Sequence, residues 1–236
     1  MDRSPYNVDM ISTQGTHDWV INRVLIGIAA TVGIAACLGD LYMTHLLATW
    51  YPGYKPLLQP MSDLGHEGSP VERITSTWWV IMGLMFMVFG YGFHQAYRHY
   101  GKPAKAAAWM LALYGIGEGL GSGLISGTPG KTFQTASSIF HNLLGAAGIM
   151  AAILLPFIMM KIYNAPRSPA FYLYSWFTSV AAIFFLALFL IANVYHQEGS
   201  WITYLGLWQR LVMLLYYIYF LCLAVLMLVR KNSVKI

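Results

Sequence analysis

The sequence predicts an all-α protein, a polytopic transmembrane bundle of six helices with both termini in the cytoplasm. Hydrophobic residues make up 58% of the 236 positions and charged residues only 10%, a composition that favours a bilayer over water as the solvent. Six apolar runs are each near or above the roughly 20 residues that a helix needs to cross hydrocarbon. These runs use nearly the whole chain, so residues 1–236 are predicted to form a single integral membrane domain.

Helices are the predicted element in every run because a chain in hydrocarbon must satisfy its own backbone hydrogen bonds. The six predicted spans lie at about 20–47, 77–100, 106–125, 136–163, 170–194 and 202–229. A long outward loop, 49–76, separates the first two spans, and its four prolines predict a stiff, ordered path. At its end, Ser69, Pro70 and Glu72 fit the N-cap, N1 and N3 positions of a capping box.

The orientation of the bundle is predicted by its basic residues. Ten lysines and arginines fall on the side that carries the two termini, and four fall on the other side. Since basic residues concentrate in the cytoplasm, both termini are expected there. The formal charge of +5 is then a property of the membrane-anchoring face. No basic stripe interleaved with aromatic residues occurs outside the spans, so no nucleic-acid partner is expected.

The third span contains the sequence GIGEGLGSG, residues 115–123. No register of these glycines fits the G-x-G-x-x-G dinucleotide fingerprint. On a helix they instead form two rows with four-residue spacing: Gly115, Gly119 and Gly123 in one, and Gly117 and Gly121 in the other. Such rows of small residues let a neighbouring helix approach closely. Rows left exposed would support a homo-oligomer.

Glu118 lies among these glycines, where an ionised carboxylate facing lipid would cost at least a few kcal/mol. It is therefore expected to face the interior of the bundle. Two interpretations remain open. Glu118 pairs with Arg210, which opens the sixth span beside Gln209, and so orients two helices; or it belongs to a functional site.

Further polar residues are predicted at the outward face. The sequence SDLGHE, residues 62–67, places a hydroxyl, two carboxylates and an imidazole close together, although an Asx turn accounts equally well for Ser62 and Asp63. The predicted ligand-binding residues of an outward cavity are Asp40, Asp63, His66, Glu118, His141, Asn142, Gln209 and Arg210. His196 and Glu198 follow the fifth span at the same face. A single histidine such as His141 is as typical of packing as of a site.

Metal and cofactor binding are not predicted. Histidines and carboxylates suit zinc, but no H-x-x-x-H or C-x-x-C spacing occurs. A serine hydrolase arrangement is available in composition, yet no G-x-S-x-G sequence is present. The candidate catalytic residues are Ser62, Asp63, Glu118, His141 and Arg210.

The order of several short motifs resembles a known family. YPGY, MSDLGHEGSP, the glycine-rich third span with SGTPG, HNLLGAAG and GLWQR are similar to the pattern of the bacterial and archaeal membrane family called domain of unknown function 998 (DUF998). The resemblance covers nearly the whole chain and singles out Ser62, Asp63, Gly65, His141 and Arg210. It implies a six-helix protein of the prokaryotic cytoplasmic membrane, akin to the Frag1/DRAM/Sfk1 group of lipid-associated proteins, with no established reaction.

Three functions remain open from the sequence. The first is binding of a lipid headgroup or small amphiphile at the outer leaflet, with Arg210 as the anion anchor and His141 and Asp63 as hydrogen-bonding partners. The second is an intramembrane hydrolase or acyl-transfer enzyme, with His141 or Glu118 as the base, Ser62 or water as the nucleophile and Arg210 stabilising the anion. The third is a structural or accessory membrane subunit.

Overall fold

The computed structural model describes residues 6–128, 134–194 and 200–233, and these residues form helices and connecting loops without a strand. We number the six long helices in chain order. They are α1 Tyr6–Trp50, α2 Glu72–Tyr97, α3 from Lys102 to Leu124, α4 Ala136–Ile162, α5 Pro169–Val194 and α6 Leu205–Ser233. Short 3-10 turns lie at Met61–Gly65, Arg98–Tyr100 and Trp201–Thr203.

The all-α bundle of six helices predicted from the sequence is confirmed. Five of the described helices have the length and apolar composition of a membrane span. The sixth is α3, which is regular over Lys102–Tyr114, becomes a π-helix over Gly115–Gly121 and ends with the turn Ser122–Leu124. Its glycine-rich half therefore has the wider backbone of a π-helix, a form that occurs in single turns and often at functional sites.

The two glycine rows of α3 contact two different helices, as their spacing predicts. A β-carbon added to Gly119 would stand 2.6 Å from the backbone nitrogen of Gly83 on α2. A β-carbon added to Gly117 would stand 2.7 Å from the backbone nitrogen of Gly148 on α4. The backbones of α2, α3 and α4 thus touch where side chains are absent. Both rows are used within the chain, and association of copies through them stays a prediction.

Aromatic side chains fill the centre of the bundle between α2, α3 and α6. The ring of Phe86 lies 4.8 Å from that of Tyr114 and 5.3 Å from that of Phe220, both in edge-to-face arrangements. All three side chains are fully buried. Rings in these geometries attract one another through their quadrupoles in addition to packing. This aromatic cluster fixes the rotation of α2, α3 and α6 about their axes.

The loops 51–71, 125–128 and 200–204 meet at one end of the bundle, which we call the loop face. The amide of Glu67 donates to the carbonyl of Gly127 at 3.0 Å, and the amide of Leu207 donates to the carbonyl of Leu57 at 3.0 Å. The first, third and fifth connections between helices therefore lie on the same side of the membrane, as alternating helix directions require.

The predicted capping box is wrong in its register. The second helix begins at Glu72, not at Pro70. The Ser69 hydroxyl accepts from the amide of Val71 at 3.3 Å, and the Glu72 carboxylate accepts from the amide of Gly68 at 3.0 Å. Pro70 and Val71 form a turn outside the helix. Ser69 and Glu72 still accept from backbone amides that precede α2, and each of these amides is one residue away from the one expected in a capping box.

Candidate functional site

Arg210, at the start of α6, holds the long loop against the bundle. Its guanidinium donates to the carbonyls of Pro56, Gln59 at 3.1 Å and Gly206 at 3.0 Å, and to the hydroxyl of Tyr54 at 2.8 Å. The planar guanidinium can serve several acceptors in this way because its donors point in fixed, divergent directions. We call this set of contacts the loop latch.

The neighbouring residue extends the latch. The Gln209 side-chain oxygen accepts from the amide of Met61 at 2.5 Å. Among the described residues, Arg210 forms no ion pair with Glu118, and the pair predicted from the sequence does not form. Arg210 donates instead to the carbonyls of Pro56 and Gln59 in the long loop. The guanidinium therefore positions the loop, and its role as an anion anchor stays a prediction.

Asp40 lies in the bundle interior and not at the loop face. It is buried, accepts from the indole of Trp78 at 2.8 Å and accepts from the hydroxyl of Tyr217 at 2.6 Å. The Tyr217 hydroxyl in turn accepts from that of Tyr114 at 3.1 Å. These four residues form the inner carboxyl network, which joins α1, α2, α3 and α6. A buried carboxyl group with good hydrogen-bond partners specifies how helices fit together.

Glu118 occupies the π-helical part of α3 and packs on the glycines of α4. Its carboxylate oxygen lies 3.2 Å from the place where a β-carbon on Gly145 would stand, and its γ-carbon lies 3.0 Å from the corresponding place on Gly148. As predicted, Glu118 faces a neighbouring helix and not lipid.

Three of the predicted site residues come together at the loop face. His66 Nδ1 donates to the Asp63 carboxylate at 3.1 Å. His141, near the start of α4, donates from Nδ1 to the carbonyl of Ile125 at 2.7 Å. The two imidazole rings face each other edge to face with centroids 6.3 Å apart. We call Asp63, His66 and His141 the imidazole site.

The protonation of this site follows from its burial. Removal from water disfavours charge. Burial raises the pKa of Asp63 to about 6, against the opposing effect of a hydrogen bond from Gln59. Burial, with a smaller contribution from His141, lowers the pKa of His66 to about 4. At neutral pH the site therefore holds an ionised Asp63 beside a neutral His66 imidazole.

Gly127 lies against both imidazoles. A β-carbon at this position would stand 3.2 Å from His66 Nε2 and 3.6 Å from the Cδ2 atom of His141. Its backbone is held by the hydrogen bond from Glu67, whose carboxylate also accepts from the Thr128 hydroxyl at 3.3 Å. Neither imidazole Nε2 has a hydrogen-bond partner among the described residues. The missing side chain at Gly127 thus lets both rings lie close to the loop backbone.

Four other polar residues were predicted at the outward face. Ser62 is half-buried beside Asp63, and within the described part of the chain its hydroxyl bonds to neither imidazole. Asn142 is half-buried at the next position of α4 after His141. His196 and Glu198 lie outside the described residues. Apart from these four, the predicted residues divide into the loop latch, the inner carboxyl network with Glu118, and the imidazole site.

Sequence reasoning missed the aromatic and glycine partners of these groups. Trp78 was not among the predicted site residues, yet its indole donates to Asp40. Tyr54 and Tyr217 were likewise indistinguishable from the many other aromatic residues. The spacing could have indicated Tyr114, because this residue precedes Glu118 by four residues and so lies on the same face of α3.

The fold and its apolar surface define an integral membrane protein of the polytopic, all-helical class. The model of the family described as Protein of unknown function (DUF998) matches residues 33–226, and the chain belongs to this family. Comparison with curated proteins and with solved structures returned no match. The kinship with the Frag1/DRAM/Sfk1 group stays a prediction.

Proposed function

We propose that the protein binds the polar headgroup of a membrane lipid at the loop face, between the imidazoles of His66 and His141. The observation that carries this proposal is the approach of both imidazoles to Gly127, where no side chain stands between the Nε2-bearing ring edges and the loop backbone. Each imidazole uses Nδ1 on a protein oxygen, so Nε2 is the nitrogen left for a ligand. The two rings lie at the ends of membrane helices, at the depth of lipid headgroups.

The protonation state of the rings selects the chemistry of the headgroup. A neutral imidazole that donates from Nδ1 presents Nε2 as an acceptor. Two acceptors beside the carboxylates of Asp63 and Glu67 favour a ligand that donates hydrogen bonds and carries positive charge. An amine-bearing headgroup such as phosphoethanolamine fits this description. A bare phosphate does not, since the nearby guanidinium of Arg210 is engaged by the loop.

Arg210 supports this function indirectly. It fixes the segment from Tyr54 to Gln59, which leads directly into the Met61–Gly65 turn that carries Asp63. We therefore assign Arg210 the role of a positioning residue. Its removal is expected to weaken headgroup binding without removing a contact to the headgroup.

The distribution of charge supports an outward site. Basic residues are concentrated at the end of the bundle opposite the loop face, which by the positive-inside rule is the cytoplasmic end. Both termini are then cytoplasmic, and the headgroup site belongs to the outer leaflet of a prokaryotic cytoplasmic membrane.

Native mass spectrometry of protein purified in mild detergent, with phosphatidylethanolamine added back, tests the proposal. The wild type is expected to retain the amine-bearing lipid. Gly127→Ala is expected to lose it, because the added methyl group would stand 3.2 Å from His66 Nε2 and block that nitrogen, and the change removes no polar group. Ser137→Ala, an exposed change on α4 at the same face, is the matched control and should bind like the wild type. Equal lipid retention by wild type and Gly127→Ala would refute the site.

A hydrolase acting on lipid is the second candidate, and the Asp63–His66 pair favours it. A carboxylate that orients an imidazole and leaves Nε2 open is the arrangement of a general base. A water molecule would then be the nucleophile, because the Ser62 hydroxyl does not contact His66. Release of fatty acid or headgroup from added lipid, abolished in His66→Ala, would favour this activity. Retention of intact lipid without turnover would favour binding alone.

A further inference from the structure

The long loop contains a short turn, residues 55–59, that exposes two adjacent leucines. Leu57 is 51% exposed and Leu58 is 41% exposed. We call these five residues the leucine turn. A single apolar residue at a protein surface needs no explanation. Here the hydrogen bonds that hold the turn, and its level along α6, indicate what covers the two leucines.

Hydrogen bonds within the loop fix the shape of the leucine turn. The amides of Leu58 and Gln59 donate to the carbonyl of Lys55 at 2.9 and 2.8 Å. The amide of Lys55 donates to the side-chain oxygen of Gln59 at 2.6 Å. These three bonds close the turn, so the exposure of its leucines is a property of the folded loop.

The backbone of the leucine turn lies against the start of α6. Pro56 and Gln59 accept from the Arg210 guanidinium, and the carbonyl of Leu57 accepts from the amide of Leu207 at 3.0 Å. A β-carbon added to Gly206 would strike the carbonyl oxygens of Pro56 and Gln59. Since the backbone is used on α6, the exposed leucine side chains lie on the outer surface of the bundle.

These contacts set the level of the turn relative to the membrane. The span Leu205–Arg230 of α6 contains 26 residues. At 1.5 Å per residue it measures about 39 Å, against about 30 Å for the hydrocarbon core of a bilayer. The ends of α6 therefore reach into the headgroup regions. Leu57, which is bonded to Leu207 in the first turn of α6, lies at the boundary between headgroups and acyl chains.

Neighbouring side chains mark the same boundary. Trp208 follows Leu207 on α6, and Trp50, which ends α1 just before the long loop, is 51% exposed. Tryptophan concentrates where headgroups meet acyl chains. Deeper on α6, Leu214 and Ile218 are exposed at helical spacing from Leu207. The leucine turn thus lies above a lipid-facing surface of α6.

The charge of the turn favours lipid over a protein partner. Lys55 is exposed at the start of the turn, and the turn contains no acidic residue. An ammonium group at this level meets the phosphates of the headgroups, while the aliphatic part of a lysine side chain can lie along apolar surface. In protein interfaces, by contrast, lysine is depleted.

We propose that the leucine turn is an interfacial anchor, which inserts Leu57 and Leu58 among the upper acyl chains of the leaflet at the loop face. Lys55 then contacts lipid phosphates. The partner is a phospholipid surface, and the chemistry of the contact does not depend on the headgroup carried by the phosphate. The long loop is held from two sides, by Arg210 of the latch and by the leaflet. This inference does not depend on the headgroup site.

Spin labels on protein reconstituted in phosphatidylcholine vesicles test the anchor. Single cysteines carry the label in a Cys37→Ala, Cys222→Ala background. The labelled variants are Leu57→Cys and Leu58→Cys in the turn, Leu214→Cys on the exposed part of α6 and Gln134→Cys, an exposed residue just before α4. Collisions with oxygen, which concentrates in acyl chains, are compared with collisions with a nickel chelate, which stays in water.

The ratio of oxygen to nickel collisions decides the result. Labels at Leu57 and Leu58 are expected to give a ratio several-fold above that at Gln134 and close to that at Leu214. A ratio equal to that at Gln134 would place the turn in water and overturn the proposal. Few collisions with either reagent would show that protein covers the turn, which would also overturn it.

Photo-crosslinking of the wild type keeps the test decisive if a labelled variant does not fold. The vesicles then contain phosphatidylcholine with a diazirine on the upper part of one acyl chain, and mass spectrometry locates the adducts. Adducts are expected at Leu57 or Leu58 and not at Gln134. A double change to asparagine, Leu57→Asn with Leu58→Asn, should lower the yield in the turn several-fold. Wild-type protein without adducts in the turn would contradict insertion.

Discussion

Replacing Arg210 with alanine is expected to release the long loop from the rest of the bundle. The side chain supplies four hydrogen bonds, to Pro56, Gln59, Gly206 and Tyr54. A hydrogen bond from a charged donor contributes roughly 1.5–3 kcal/mol. Arg210 is half-buried, so water can replace part of what is lost. We therefore expect the free energy of local opening to fall by about 3 kcal/mol.

Hydrogen exchange of two backbone amides measures this opening directly. The amide of Met61 donates to Gln209 and is protected while the loop is closed. The amide of Leu207 donates to Leu57 of the loop and also to Tyr204, so opening of the loop removes only part of its protection. A loss of about 3 kcal/mol in opening free energy accelerates exchange about a hundredfold, since every 1.4 kcal/mol corresponds to a factor of ten. Mass spectrometry of peptides covering these two amides gives the rates.

Matched variants separate the latch from a general loss of charge. Arg73→Ala removes an exposed arginine near the start of α2 and should leave both exchange rates unchanged. Arg210→Lys should give an intermediate rate, because an ammonium group cannot reach several divergent acceptors as a guanidinium does. Exchange in Arg210→Ala that equals the wild-type rate would refute the latch.

Other predictions concern packing, the inner carboxyl network and pH. Gly117→Leu should lower the free energy of unfolding by about 2–3 kcal/mol, because the leucine side chain would strike the backbone of Gly148. Thermal unfolding in detergent measures this loss. Asp40→Ala should cost about 2–4 kcal/mol in the same assay, because buried donors such as the Tyr217 hydroxyl lose their acceptor. Headgroup binding should weaken as pH falls through about 6, where Asp63 takes up a proton.

Each of these predictions has its own control. Ala146→Leu places the same side chain on the exposed side of α4 and should be tolerated, so an equal loss of stability would contradict the packing of Gly117. Asp40→Asn keeps one oxygen acceptor and should cost less than alanine; a larger cost would contradict the network. Binding that stays constant around pH 6 would show that ionised Asp63 is not needed.

The sign of the pH effect follows from the hydrogen bond between Asp63 and His66. Above pH 6 the carboxylate accepts from Nδ1, and His66 Nε2 remains an acceptor for the headgroup. Below pH 6 the protonated Asp63 donates to Nδ1, and the neutral ring must carry its own proton on Nε2. His66 then presents a donor where the ligand needs an acceptor. Because the pKa of His66 is near 4, this exchange of roles precedes protonation of the ring itself.

The helices of the bundle could be predicted from the sequence because their cause is local. Each apolar run is long enough to cross the membrane, and backbone hydrogen bonding leaves helix as the solution. The glycine rows of α3 could be predicted for the same reason, since four-residue spacing places them on common faces. The π-helical backbone over Gly115–Gly121 was not predicted, because it results from close contact with two neighbouring helices.

The division of the polar residues into separate groups could not be predicted. Arg210 donates to backbone carbonyls of the long loop. Because every residue carries such a carbonyl, the sequence does not show which of them Arg210 contacts. Asp40 accepts from Trp78 and Tyr217. Which of the many aromatic residues reach Asp40 depends on how the helices are rotated about their axes. The imidazole site was predictable in its members Asp63, His66 and His141. The approach of Gly127 to both rings depends on the path of the loop after α3.

A double-mutant cycle on lipid affinity tests the central claim most directly. The affinity of the reconstituted protein for phosphatidylethanolamine would be measured in the wild type, His66→Ala, His141→Ala and the double variant. If one headgroup lies between the two imidazoles, the losses will not add, and the coupling energy will be at least about 0.5–1 kcal/mol. Losses that add within error, or affinities equal to that of the wild type, would contradict a shared site.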